Sequence, residues 1–312
     1  MNTDYPQING PSIEADPVLA QLLRELRTRH NDAICCTLVY GSCLRSGDIY
    51  DGLLDLYLIC DSYRSAYGNG LMATANWLMP PNVFYAETTL DGKILRSKVT
   101  VISLPDFQRG CSDWFESYIW GRFAQPTHLV YCRNHATRSN VEGALQQAAR
   151  SMLQQAVPAL PTEGSVADLW IQALGLSYAT ELRTERNGRA SELANAAADF
   201  YRTLTTLHAD SLGFDFAVYD VAGNLHYRSA ASIWRRRWCT CAWALRRGQG
   251  KLLSVMRLAK ALFTFEGGLD YIAWKLERHS GEEIVIPKKV RRAPLIFIWG
   301  FCWGLYRRGI FK

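Results

Sequence analysis

The chain has 312 residues, 48% hydrophobic and 12% aromatic, with a formal net charge of +6. That is enough to bury one large core or two modest ones, and it excludes a chain disordered throughout. The charge is unevenly divided: residues 228–312 hold 18 Lys+Arg against 5 Asp+Glu, a net +13, which leaves −7 for residues 1–227. Such a split predicts that one end meets a polyanionic surface, either nucleic acid or an anionic membrane.

The N-terminus, MNTDYPQINGPSIEADP, has no long apolar stretch after a basic start and is too acidic for a transit peptide, so the protein is expected in the cytosol. The next residues, 17–30, place Val18, Leu19, Leu22, Leu23 and Leu26 on one helical face. Residues 33–40 and 53–60 are short and rich in strand formers. Residues 83–89 and 95–104 flank the turn Leu90-Asp91-Gly92-Lys93, a hairpin signal. From about Val141 the pattern turns helical, with successive helices over residues 141–157, 165–183 and 191–212; Ser165 is placed to cap the second, with Asp168 three residues on. Residues 214–227 read as loop with short strand potential, and residues 248–276 read as helix. The last stretch holds fourteen uncharged residues, 293–306, between Arg291-Arg292 and Arg307-Arg308. As a helix it rises about 21 Å, short of the roughly 30 Å hydrocarbon core, so it is expected to lie in a membrane interface. The nine cysteines contain no CxxC pair and are expected as reduced thiols, mostly buried. The six histidines stand singly and carry no assigned role.

Residues 39–61, VYGSCLRSGDIYDGLLDLYLICD, hold the chemistry. A strand ends in Tyr40, Gly41-Ser42 break it, and the neighbouring apolar strand carries one acid, Asp55. Backbone N–H groups at a Gly-Ser turn can hold triphosphate oxygens, because glycine allows close approach. Asp55 would then hold Mg²⁺, which bridges nucleotide phosphates and stabilises a leaving pyrophosphate. An Asp-x-Asp pair would supply a second carboxylate, but Tyr57 stands in its place. Asp61 and Glu87 are the candidates for that second acid, or the site works with one.

YGS…LLDLYLICD, KVTVIS, DWFESYIWGRFAQPTHLVY and DLWIQALGLSYATELR, in this order, resemble the mitochondrial phosphatidate cytidylyltransferase (CDP-diacylglycerol synthase) family, as does VMRLAKALFTFEGGLDYIAWKLERH in outline. The resemblance implies an α+β protein: a nucleotidyltransferase-fold mixed-sheet domain (residues 1–135), a helical, winged-helix-like domain completing the site (136–285), and a membrane-interface tail (286–312). It implies Mg²⁺-dependent transfer of CMP from CTP to phosphatidate, releasing pyrophosphate. Asp55 and Lys98 are then the catalytic pair, Tyr40, Gly41 and Ser42 the nucleotide turn, and Asp55 with Asp61 the metal carboxylates. Arg122, Arg183 and Lys260 would meet substrate phosphate, with Tyr178, Glu181 and Glu87 as further site candidates. Gly-Ser-Gly in the family is Gly41-Ser42-Cys43 here. Without a transit peptide, the chain looks like a bacterial relative working peripherally at the inner face of the cell membrane.

Two other readings remain open from the residues. Gly41-Ser42-Cys43-Leu44-Arg45 loosely resembles the Gly-Ser-x-x-Arg turn of minimal nucleotidyltransferases, which act on other acceptors. IWRRRWCTCAWALRR interleaves aromatics with arginines, as a non-catalytic nucleic-acid binder would. The apolar Leu295-Ile296-Phe297-Ile298 favours membrane, and no nucleic-acid partner is expected.

Overall fold

The computed structural model describes residues 5–6, 15–181, 188–264, 277, 284–292, 297, 300, 301, 303, 304 and 307. Asp16 opens α1 (Pro17–Arg29): its carboxylate accepts from the Val18 and Leu19 N–H groups, and Pro17 has no N–H to satisfy. Then follow β1 (Ile34–Tyr40), α2 (Ser42–Ser46), β2 (Leu54–Cys60), α3 (Tyr63–Tyr67), α4 (Leu71–Leu78), β3 (Asn82–Leu90), β4 (Lys93–Ser103), α5 (Leu104–Ser112), α6 (Trp120–Phe123) and β5 (Thr127–Cys132). The five strands form one sheet in the order β3-β4-β2-β1-β5. β2 and β4 run parallel and the other pairs antiparallel, so the sheet is mixed. Asp91 and Gly92 both have positive φ, the backbone that a two-residue hairpin turn requires, and they join β3 to β4 as the sequence predicts.

The central strands read as continuous apolar runs because both faces of the sheet are covered. Val39, Leu54, Leu56, Leu58, Val99 and Val101 pack under α1, against Val18, Leu19, Leu22 and Leu26. Leu38, Tyr57, Ile59 and Ile102 face the other way, into a core with Phe107 of α5 and Trp120 and Phe123 of α6. That second core continues into α7 (His135–Ala156) through Leu145, Ala148 and Met152. Each such side chain contributes about 1.5–3 kcal/mol on full burial.

After α7 come β6 (Glu163–Ser165), α8 (Val166–Tyr178), α9 (Arg189–Ala196), α10 (Ala198–His208), β7 (Phe216–Val221) and β8 (Asn224–Ser229). The small sheet β6-β8-β7 packs against α8. A helix, a strand, three helices and a closing hairpin follow one another here, with the last strand in the middle of the small sheet, an order that resembles a winged helix. Ser165 caps α8 through the Asp168 N–H. The helix read over 191–212 is broken at Ala197, whose φ of −129° is not helical and divides α9 from α10.

The last long element, α11 (Ile233–Thr264), starts well before the helix read from residue 248. Its buried side docks by Trp243, whose Nε1 donates to the Gln155 carbonyl at 2.9 Å, and by Arg246. Arg246 donates from Nε to the Phe115 carbonyl and from Nη2 to Gln155 Oε1, both at 2.7 Å. Its guanidinium also covers the rings of Phe115, Trp120 and Trp243, so an arginine fills a largely aromatic seam. Ile284, Ile286 and Val290, the last in α12 (Lys288–Arg292), return to the core.

One expectation about the cysteines is corrected. Cys36 and Cys132 face each other in register on β1 and β5 and are joined as a disulfide. No local spacing signals a pair 96 residues apart, because strand register alone creates it. Cys35, Cys43, Cys60, Cys111, Cys239 and Cys241 remain free thiols, all but Cys241 buried.

His208, at the end of α10, is buried, and its Nε2 has no hydrogen-bond partner. Burial, reinforced by Arg150, pulls its pKa down to about 4. An unfolded histidine takes up its proton near 6.5, so between those values the unfolded state binds more protons and stability falls as pH falls. Denaturant titrations should show a loss on the order of 2–3 kcal/mol between pH 7 and pH 4 that His208→Gln removes. An unchanged slope in that variant would show that His208 is not the group responsible.

Candidate active site

The sheet register assembles the centre of the site. Tyr85, Lys98, Asp55, Tyr40 and Thr127 stand opposite one another on β3, β4, β2, β1 and β5, one rung across all five strands. In the middle of that rung, Lys98 Nζ lies 3.8 Å from Asp55 Oδ1, and both side chains are partly exposed. Gly41 follows Tyr40 with φ +92°, and a Cβ there would stand 2.7 Å from Asp55 Oδ2. Only glycine meets both demands, so the turn lies directly against the carboxylate. Ser42 begins α2 at the exposed side of that turn.

The helical side supplies two guanidinium groups. Arg122 of α6 donates from Nη2 to Glu181 Oε1 at 3.1 Å and from Nη1 to the Tyr57 hydroxyl at 3.4 Å. It can reach Glu181 because α6 lies tight against α8: a Cβ on Gly121 would overlap the Ser177 hydroxyl. Arg257 of α11 pairs with Glu116 at 2.6 Å, both side chains mostly buried. The two guanidinium groups lie over the Tyr118 ring at 4.3 and 4.2 Å. Burial alone would push the Tyr118 phenol up, but Arg122, Lys98 and Arg257 outweigh it and bring the pKa below the ordinary tyrosine value. Burial acts against the charge on Arg122, yet Tyr118, Tyr40, Tyr57 and Glu181 hold its pKa well above the usual arginine value, so it stays cationic. The site thus contains three ion pairs, Lys98–Asp55, Arg122–Glu181 and Arg257–Glu116, within reach of one phenol. An arriving polyanion finds cations whose carboxylate partners it can replace.

Tyr40, Gly41, Ser42, Asp55, Lys98, Arg122 and Glu181 are therefore brought to one region. Tyr178 stands behind it, its hydroxyl donating to Gln125 Oε1 at 2.8 Å. Two expected residues, Asp61 and Lys260, are committed elsewhere, and Glu87 stands beside the rung on the same face of β3. Asp61 is six residues beyond Asp55 on the same strand, about 20 Å away at the other end of β2, and Arg133 holds it bidentately at 2.6 and 2.8 Å. It cannot share a metal ion with Asp55. Glu87 is engaged with the Tyr85 hydroxyl at 2.5 Å and with Arg96. Lys260 donates to Asn76 Oδ1 and to the Met79 and Pro81 carbonyls at 2.6–2.9 Å, which directs all three of its protons to the loop between α4 and β3. Arg183 lies outside the described residues. Tyr118 and Arg257 are not among the residues that the sequence assigns to the site. Tyr118 stands one helical turn before Arg122 in DWFESYIWGRFAQPTHLVY, and Arg257 stands three residues before Lys260 in VMRLAKALFTFEGGLDYIAWKLERH.

In place of a second acid, Tyr57 is buried with its ring on Phe123 at 4.8 Å. Among the described residues, no group of three or more His, Cys, Asp and Glu gathers. One partly exposed carboxylate fits a Mg²⁺ ion that draws its remaining ligands from water and nucleotide phosphates, rather than from an all-protein cage. Asp55 is the residue that would hold it.

Residues 61–212 match the family model described as "Phosphatidate cytidylyltransferase, mitochondrial". The family resemblance holds. The activity of phosphatidate cytidylyltransferase is CDP-diacylglycerol synthesis, and the expectation of an enzyme is borne out at that level. The match covers just under half the chain and includes Lys98, Arg122, Tyr178 and Glu181, but it begins after Gly41 and Asp55. The family is described as mitochondrial, so it lends nothing to a bacterial origin. No curated protein matches the chain. Among solved structures, a nucleotidyltransferase-like protein from Exiguobacterium sibiricum 255-15 matches at 9% identity and a TM-score of 0.28, over 68% of this chain and 100% of that one. So loose a likeness carries no argument about the fold.

Asp55→Asn keeps the shape of the side chain and removes its charge, so turnover should fall by at least about 100-fold with the melting curve intact. Asp61→Asn breaks only a half-exposed pair far from the rung and should leave turnover within about threefold of the parent. Equal losses in the two variants would show that the rung is not the centre of the chemistry.

Proposed function

We propose that the chain transfers CMP from CTP to phosphatidate in the presence of Mg²⁺, at the surface of an anionic membrane. The observation that carries this reading is the contact of Gly41 and Lys98 with the single carboxylate Asp55, faced by the cations Arg122 and Arg257. The phosphatidate phosphomonoester is largely anionic at neutral pH, so the nucleophile needs little help from a base. The demand on the protein is to bring two anions together.

In the reaction, a phosphatidate oxygen bonds to the α-phosphorus of CTP as the bond from that phosphorus to the α,β-bridging oxygen breaks, and pyrophosphate leaves. The turn at Gly41 and Ser42 allows phosphate oxygens close to the backbone. Lys98 places a compact charge beside Asp55, suited to the oxygen on which negative charge grows. Arg122, held by Glu181 and Tyr57, offers a fixed planar fork for the acceptor phosphate. Mg²⁺ on Asp55 would supply charge neutralisation at the nucleotide phosphates.

The membrane part of the reading rests on the C-terminal stretch. Among its described residues, Phe297, Gly300, Phe301, Trp303, Gly304 and Arg307 are helical, and the Phe297 and Trp303 side chains are exposed. None of the described helices is long and apolar enough to cross a membrane. A transferase with a soluble acceptor would have no use for that exposed tail.

Purified protein incubated with CTP, Mg²⁺ and phosphatidate should yield CDP-diacylglycerol and pyrophosphate in equal amounts. Replacing phosphatidate with diacylglycerol should abolish both, because the acceptor phosphate is then missing. Pyrophosphate release that ignores the lipid would favour another acceptor. A chain ending at Arg292 keeps the buried Ile284, Ile286 and Val290. It should stay folded and lose activity on vesicle-embedded phosphatidate more than on a short-chain, dispersed analogue; equal losses would remove the tail from membrane work.

A further inference from the structure

α11 has two unlike sides. Cys239, Ala242, Trp243 and Arg246 are buried against the body of the protein. On the opposite side, Trp234, Trp238, Cys241, Leu245, Gly248, Leu252 and Val255 recur at alternating steps of four and three, and all are exposed. That spacing keeps them on one face over 22 residues, an axial rise of about 32 Å. The exposure is large: Trp234 75%, Trp238 63%, Leu245 60% and Leu252 61%. Arg237, Arg247 and Lys251 are exposed along the edge of the stripe, and the Arg237 guanidinium lies 5.8 Å from the Trp234 ring.

We propose that this stripe is a second membrane-binding face, separate from the C-terminal tail, which lays α11 lengthwise on an anionic lipid surface. The proposal rests on the membrane-surface reading above and adds where the body of the protein touches the membrane. Charge selects lipid over the other occupants. α11 contains eight Lys and Arg and no Asp or Glu, so a second copy of the same helix would bring like charge against like charge with nothing to pair it. Nucleic acid would use the arginines, but it gives Leu245, Leu252 and Val255 no partner. A bilayer interface takes all three classes together: tryptophan at the headgroups, aliphatics at the acyl boundary and basic residues toward anionic lipid.

The placement also has a consequence for the substrate. Near its C-terminal end, the buried side of α11 carries Arg257, whose guanidinium lies over Tyr118 beside Arg122 and Lys98. The proposed lipid-facing side is therefore one helix diameter, about 10 Å, from the cations of the site. A phosphatidate headgroup can approach them with its acyl chains still in the membrane.

The test uses full-length protein and vesicles of phosphatidylcholine, either alone or with 30% phosphatidylglycerol. The second composition serves as the probe, since it carries anionic charge without being a substrate. The quadruple variant Trp234→Ser, Trp238→Ser, Leu245→Ser, Leu252→Ser changes only exposed side chains, and its melting curve should match the parent's. Co-sedimentation with the anionic vesicles should weaken at least about tenfold in this variant. The chain ending at Arg292 should keep measurable binding through the stripe, and combining both changes should abolish it. Trp234 and Trp238 should also be quenched by bromine-labelled acyl chains, a readout independent of affinity. If the intact chain binds the vesicles and the quadruple variant binds equally well, the stripe proposal falls and the tail reading survives. If the intact chain binds no vesicle, the membrane reading falls and the stripe with it. A concentration-dependent dimer, or tight binding to RNA, that the quadruple variant abolishes would likewise overturn the proposal in favour of that partner.

Discussion

Everything at the site depends on one contact, that of Gly41 with the Asp55 carboxylate. β1 and β2 pair so that Tyr40 stands opposite Asp55, and the chain must then leave the sheet within one residue while passing the acid. A positive φ and the absence of a side chain solve this together. The parallel pairing of β2 with β4 brings Lys98 to the other side of the same carboxylate. A strand slip of one residue would turn Asp55 into the core under α1 and Leu54 or Leu56 toward the site. The apolar runs on both faces are therefore what keep the acid in place.

A second layer of constraint comes from the helices, which supply cations without loosening the core. Arg122 and Arg246 are both tied to aromatic rings and to fixed acceptors, so each keeps its charge in surroundings that would otherwise reject it. α11 serves twice: its buried side closes the seam around Trp120 and Trp243, and its end delivers Arg257 to Tyr118. Lys260, one turn further, fastens the α4–β3 loop. A lysine in a basic helix thus carries a structural duty where a phosphate contact was expected.

Local signals made much of this legible from sequence. Periodicity gave α1, strand formers around Asp91-Gly92 gave the hairpin, and a lone acid in an apolar run pointed to Asp55. Asp61 lies too far along the strand to join Asp55, since six residues of extended chain span about 20 Å. The disulfide between Cys36 and Cys132, and the convergence of Arg257 on Tyr118, were not legible, because both follow from pairings between distant segments. The short helices α2, α3 and α4 are too brief to show a period. The exposed stripe of α11 was visible only as a mixture of tryptophan and arginine until the structure showed which side of the helix the core occupies.

On the proposed function, Asp55, backed by Gly41 and Lys98, would make nucleotide binding depend on a divalent ion. Calorimetric titration of CTP into the protein with and without Mg²⁺, repeated on Asp55→Asn, tests it without requiring turnover. The account predicts binding to the intact chain that strengthens at least about tenfold with Mg²⁺, and binding to Asp55→Asn that does not respond to the ion. The same dependence on Mg²⁺ in both proteins would contradict it.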